Sequence, residues 1–186
     1  MKDGTLIAAA GADKQARLLH GSTGQTSVIG AHAAAVRSIR FVDVPSSPSP
    51  VVATGSWDGT VRYWDLRQPG KALAVLNCAD RVYSMDTAGR LLVIATAERH
   101  IHLVDLHSNP AKFERTMQSP LKHQTRAVAA FPDGKGWATA GIEGRCAINA
   151  VAEKDARCRL PPRHPRHYRR LLNLFQQHQL HLSMPS

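Results

Sequence analysis

Apolar and polar residues alternate in short runs over most of the chain. Val36-Arg37-Ser38-Ile39-Arg40-Phe41-Val42 reads as an alternating run, and Val82-Tyr83-Ser84-Met85-Asp86 and Ala127-Val128-Ala129-Ala130-Phe131 stand at matching places further on. A period of two is the signature of a strand with one packed face. Four acidic turn residues set a longer phase. Asp13, Asp58, Glu98 and Glu143 are spaced by 45, 40 and 45 residues. Small residues precede each one, as in Ala8-Ala9-Ala10-Gly11 and Ala53-Thr54-Gly55-Ser56, and an alternating run follows, as in Val61-Arg62-Tyr63. The pattern predicts hairpins recurring at a fixed interval and an all-β fold.

A period of about 40–45 residues with four strands per unit predicts a β-propeller rather than a sandwich. A helical solenoid shares this period but needs long 3.6-periodic stretches, which residues 1–150 lack. The expected architecture is a partial propeller over 1–153, an open ring of about four blades, two complete and two incomplete. The units fall near 4–31, 36–77, 82–121 and 126–151. Residues 154–186 form a basic stretch, expected to be a disordered or aberrant tail. An open ring leaves two unpaired flanks, so the chain alone is expected to aggregate or to depend on a partner.

The second repeat carries the most detailed motif. It reads Ala31-His32, Val36, then Gly55-Ser56-Trp57-Asp58-Gly59-Thr60-Val61-Arg62-Tyr63-Trp64-Asp65. It resembles the WD40 repeat family. The resemblance implies a hydrogen-bonded chain formed by His32, Ser56, Asp58 and Trp64. Such a network satisfies a carboxylate that would otherwise be costly to bury. That role is structural, so His32 and Asp58 are not read as a catalytic dyad. The other repeats are degenerate: Val104-Asp105 and Asn149-Ala150 stand where Trp-Asp would.

Five segments narrow the resemblance: Thr54 to Asp58, Arg81 to Asp86, Ala95 to Ile101, Ser119 to Arg126 and Ile142 to Ile148. Together they look like the RNA-export-factor family, closed propellers that dock on the GLEBS segment of a phenylalanine-glycine nucleoporin. The mitotic-checkpoint propeller is a sister sharing the Lys-x-Gln-Thr-Arg and Ile-Glu-Gly-Arg segments. The resemblance covers residues 4–153. It implies a nuclear, pore-associated scaffold that shuttles to the cytoplasm, with mRNA or ribonucleoprotein as a further partner. The chain opens inside a blade, and 157–186 matches nothing in the family, which reads as a frame slip, a retained intron or an alternative end.

Charge refines this reading. The net charge is +10, but six of the 24 Lys and Arg lie in 157–186 with none of the 14 Asp and Glu. The body is only mildly basic, a weak nucleic-acid signal. The tail could engage RNA phosphates or form a short amphipathic helix from Leu171 to Leu182. Cys78, Cys146 and Cys158 are far apart and form no CxxC pair, so neither a zinc site nor a disulfide framework is expected, and a reducing intracellular setting fits. No apolar run approaches the ~20 residues that span a bilayer, and no signal-peptide pattern follows Met1.

No enzyme signature is found. There is no Gly-x-Ser-x-Gly elbow, and Gly141-Ile142-Glu143-Gly144 and Gly21-Ser22-Thr23-Gly24 lack the ending of a phosphate loop. His100 and His102 share one side of a strand without an evident third ligand. No cofactor, metal or small-molecule substrate is expected. Candidate partner contacts sit in the loops between repeats: Arg126 first, Lys122 second, then Arg81 and His123. Arginine offers a planar fork to carboxylates, which suits the Glu-bearing peptide that the resemblance implies. The alternative for these side chains is ordinary solvated charge. Arg99 and Arg145 are read as surface charges of turns on the opposite face, Tyr83 as core, and Trp57 as packed over a neighbouring blade or exposed as an anchor. A single-stranded RNA-binding surface on the basic face is the alternative from another class.

Overall fold

The computed structural model describes residues 5–152, and these form strands without any helix. β1 (Leu6–Ala10), β2 (Gln15–His20) and β3 (Thr26–Ala31) pair in order as the first sheet. β4 (Val36–Val42), β5 (Val51–Ser56), β6 (Thr60–Asp65) and β7 (Ala72–Asn77) make the second. β8 (Val82–Ala88), β9 (Leu91–Thr96), β10 (His100–Asp105) and β11 (Arg115–Gln118) make the third. β12 (Thr125–Ala130), β13 (Gly136–Gly141) and β14 (Cys146–Ala150) make the fourth. All pairings are antiparallel between consecutive strands. The result is a partial β-propeller with an open ring. The basic stretch 154–186 lies outside the described residues.

The core lies between sheets, not within them. Ala16, Leu18 and Ile29 of the first sheet close on Ile39, Val52 and Trp64 of the second. Val61, Tyr63 and Leu76 of the second meet Val82, Met85, Leu92 and Ile94 of the third. Val93, Ile101 and Leu103 of the third meet Val128 and Trp137 of the fourth. Each apolar face is thus buried only by its neighbour, at about 25 cal/mol per Å² of apolar surface removed from water. At the first seam, Gly30 lies flat against the Trp64 ring, where any Cβ would overlap it.

Polar contacts stitch the inner strands together across the seams. The Met85 amide donates to Ser38 Oγ at 3.2 Å, and the Val128 amide donates to Ser84 Oγ at 3.1 Å. Ser38 and Ser84 stand at equivalent places on β4 and β8, so one contact is used twice. Each inner strand also breaks register near its start, at Val36/Ser38, Val82/Ser84 and Thr125/Ala127. Arg37, Tyr83 and Arg126 are the residues inserted at these breaks. A bulge at a sheet rim re-aims the side chain it carries, which explains why Tyr83 is half-buried rather than core, contrary to the alternation read from sequence.

The hairpin turns share one geometry. Lys14, Gly59, Arg99 and Gly144 occupy the same turn position, with φ of 73°, 78°, 62° and 73°. Glycine adopts this region freely, whereas lysine and arginine hold it at a cost.

Candidate partner-docking face

The second sheet shows how a turn and an interblade loop are locked together. Trp64 lies opposite Val52 on β5, and Thr54 is its diagonal neighbour. Trp64 Nε1 donates to Thr54 Oγ1 at 2.7 Å, and Thr54 Oγ1 lies 2.8 Å from His32 Nε2. His32 Nδ1 lies 3.0 Å from Asp58 Oδ2. With the proton on Nδ1, every member of this chain is satisfied: indole to hydroxyl, hydroxyl to imidazole, imidazole to carboxylate. Asp58 also accepts the Ala33 and Thr60 amides and the Thr60 hydroxyl.

The hydroxyl in the chain belongs to Thr54, which corrects the role given to Ser56. Two residues further along β5, Ser56 is out of reach of an indole anchored opposite Val52, since a strand advances about 3.3 Å per residue. Ser56 Oγ instead serves the turn: it lies 3.0 Å from both the Ala34 and Ala35 carbonyls and accepts the Asp58 amide at 3.1 Å. Burial would raise the Asp58 pKa, but the hydrogen bonds from Thr60, Ala33 and His32 overcome it and hold it at about 2. Burial dominates at His32 and pushes it below the usual histidine value, despite Asp58. The pair is therefore a carboxylate accepting from a neutral imidazole, suited to clamping a loop and offering no open position to a substrate.

The fourth sheet keeps a partial copy. His123 Nε2 lies 3.1 Å from Glu143, and Asn149 Nδ2 donates to Thr139 Oγ1 at 3.4 Å, at the sites matching Asp58, Trp64 and Thr54. No hydrogen bond joins the two halves among the described residues. The buried Thr125 hydroxyl and Trp137 indole have no partner there. His123 thus has a partner within its own sheet, in the turn carboxylate Glu143. In the third sheet His102 is buried, stacks on Phe113 at 4.5 Å and contacts Thr116 at 2.9 Å. Among the described residues no group of three or more His, Cys, Asp or Glu could hold a metal ion.

Turns and interblade loops belong to the same end of the sheets. Besides His32 with Asp58, the Cys78 amide donates to the Gly59 carbonyl at 2.7 Å, and the Ala97 amide to the Arg81 carbonyl at 3.0 Å. Arg99 Nη1 donates to the Leu121 carbonyl at 3.0 Å, and the Ile142 amide to the Gln124 carbonyl at 3.1 Å. Arg99 and Arg145 therefore share the face that holds Arg81, Lys122 and Arg126, and the sequence-based assignment to the opposite face is corrected. The reason is topological. The turn after the second strand of each sheet points the same way as the loop that enters its first strand.

On this face Arg81, Lys122 and Arg126 are exposed, and Trp57 is 41% exposed with its ring 6.2 Å from that of Tyr83. Trp57 both packs and shows an open edge. Arg37, unmarked in the sequence reading, is exposed and occupies the same bulge position as Arg126. Its signal was its place directly after Val36, in phase with Tyr83 and Arg126. The face carries exposed arginines and an aromatic pair, able to pair carboxylates and to stack a planar or apolar group.

Stacked antiparallel sheets of three or four strands, with a turn Asp, loop His and third-strand Trp linked through a threonine, define a WD40-repeat protein. The WD domain, G-beta repeat family matches residues 24–65. The chain is 47% identical over 154 residues to "mRNA export factor GLE2" of Chaetomium thermophilum, covering 83% of this chain and 42% of that protein. It is 46% identical over 155 residues to "Poly(A)+ RNA export protein" of Schizosaccharomyces pombe, covering 83% and 43%. "Mitotic checkpoint protein BUB3.1" of Arabidopsis thaliana is 39% identical over 146 residues, covering 74% and 40%. The chain is a WD40-repeat protein, similar in sequence to proteins named as RNA-export factors and, at lower identity, to proteins named for the mitotic checkpoint. It spans less than half the length of these curated relatives.

Proposed function

We propose that this chain is a non-enzymic interaction scaffold of mRNA export, working in the nucleus at the pore, whose exposed arginines dock an acidic GLEBS-type nucleoporin peptide. Arg126 carries the reading. It is exposed, set at a bulge on the rim, and without an ion pair among the described residues. Lys122 and Arg81 add charge, and Trp57 with Tyr83 supplies an apolar anchor. Two relatives named for RNA export support the process. The test is capture of the full chain on an immobilised GLEBS peptide. Arg126→Glu is expected to weaken capture by roughly tenfold or more and to reduce its salt sensitivity. Undiminished capture by that variant overturns the site, and no capture by the unaltered chain overturns the partner.

The relative named as a mitotic checkpoint protein favours a second reading, in which the same face takes GLEBS-type motifs of kinetochore proteins. A panel of nucleoporin and kinetochore peptides separates the two by rank of affinity. Single-stranded RNA in the same assay is the outcome that would favour nucleic acid.

A further inference from the structure

The opposite end of the second sheet carries a loop of unusual composition. Between β4 and β5 the chain reads Asp43-Val44-Pro45-Ser46-Ser47-Pro48-Ser49-Pro50. Two Ser-Pro dipeptides lie there, Ser47-Pro48 and Ser49-Pro50, and a third, Ser119-Pro120, lies in the loop before β12. Proline after serine is what proline-directed protein kinases select, and a basic residue three places on strengthens the preference. By sequence alone Ser119 would rank first, because Lys122 follows at that distance.

The structure reverses this order. Ser119 is 4% exposed, its hydroxyl accepts the Leu121 amide, and its own amide donates to Arg99. Ser49 is 7% exposed and its hydroxyl donates to Asp65 Oδ1 at 2.5 Å. A phosphate on Ser49 would stand against that carboxylate. Ser47 is half-buried, between exposed Ser46 and exposed Pro48, and more open than Ser49 or Ser119. Its hydroxyl makes long contacts within the loop, all to Ser49: 3.2 Å to the carbonyl, 3.3 Å to the hydroxyl, and it accepts the amide at 3.4 Å. Arg67 Nη2 donates to the Pro48 carbonyl at 3.4 Å, which brings a guanidinium to the residue next to Ser47.

We propose that Ser47 is a phosphorylation site for a proline-directed kinase. In the step, Ser47 Oγ attacks the γ-phosphorus of ATP and forms the Oγ–P bond. The bond from phosphorus to the bridging oxygen breaks, ADP leaves, and the hydroxyl proton passes to the kinase's catalytic carboxylate. The phosphate gains the Arg67 guanidinium as a charge-assisted partner. The loop lies at the far end of the sheet from the docking face, so the mark is independent of peptide capture.

The test incubates the full, folded chain with ATP and a purified cyclin-dependent or mitogen-activated kinase and maps phosphate by peptide mass spectrometry. One phosphate on Ser47 is expected, lost in Ser47→Ala and retained in Ser49→Ala and Ser119→Ala. A synthetic peptide of residues 43–51 serves as the unfolded control. Phosphate on Ser119 or Ser49 in place of Ser47 overturns the proposal. So does a folded chain that takes none on Ser47, whether or not the peptide is modified.

Discussion

Asp86 on β8 receives Arg40 Nε from β4 at 3.0 Å through one carboxylate oxygen, while its other oxygen receives the Ala130 amide of β12 at 2.9 Å. One side chain thus ties together the inner strands of three consecutive sheets. Asp86 is 5% exposed, so removing it strands a half-buried guanidinium and an amide. Asp86→Ala is expected to cost about 2–3 kcal/mol in equilibrium urea denaturation. A double-mutant cycle with Arg40→Ala should show coupling of about 1 kcal/mol. Strictly additive effects would mean that the pair is incidental.

The hydroxyl of Thr54 is the hinge of the Trp64–His32 chain. Thr54→Val keeps the shape and leaves a buried indole N–H and imidazole nitrogen unpaired, at a cost of about 2–3 kcal/mol. Ser56→Ala, which removes contacts closer to the turn, is expected to cost about 1 kcal/mol. Reversal of that order would return the linking role to Ser56.

Stability should fall with acidification in two stages. Burial pushes both His32 and His102 below 6.5, with His100 adding to the effect at His102 and Asp80 opposing it. The unfolded chain takes up these protons first, so stability present above 6.5 declines as the pH drops below it. Asp58, at about 2 against an ordinary 3.8, contributes above 3.8 and loses about 2 kcal/mol as the pH falls through its folded value. Thermal melts across the pH range should show both declines, and His102→Gln should flatten the first.

Lys14 holds a left-handed φ of 73° on an exposed turn. Lys14→Gly is expected to raise stability by about 1 kcal/mol. Arg99 has the same strain but donates to Leu121, so Arg99→Gly should gain less. Equal gains in urea midpoint would show that the Arg99 bond contributes nothing.

Much of this molecule was legible in the alternation itself. The hairpin period, the strands β4 and β8 and the turn carboxylates follow from local pattern, because side-chain period and turn chemistry are fixed by neighbours in sequence, while the His32–Asp58–Trp64 grouping rests on the resemblance to the WD40 repeat. What sequence alone could not decide depends on direction and register. A bulge shifts Tyr83 out of the core and puts Arg37 in line with Arg126, and alternation carries no mark of an inserted residue. The shared face of Arg99, Arg145 and Arg81 follows from antiparallel closure of each sheet. The choice of Thr54 over Ser56 rests on which hydroxyl the Trp64 ring reaches across β5. The burial of Ser119 and the partial exposure of Ser47 likewise arise only once the sheets stack, because accessibility is settled by neighbours far away along the chain.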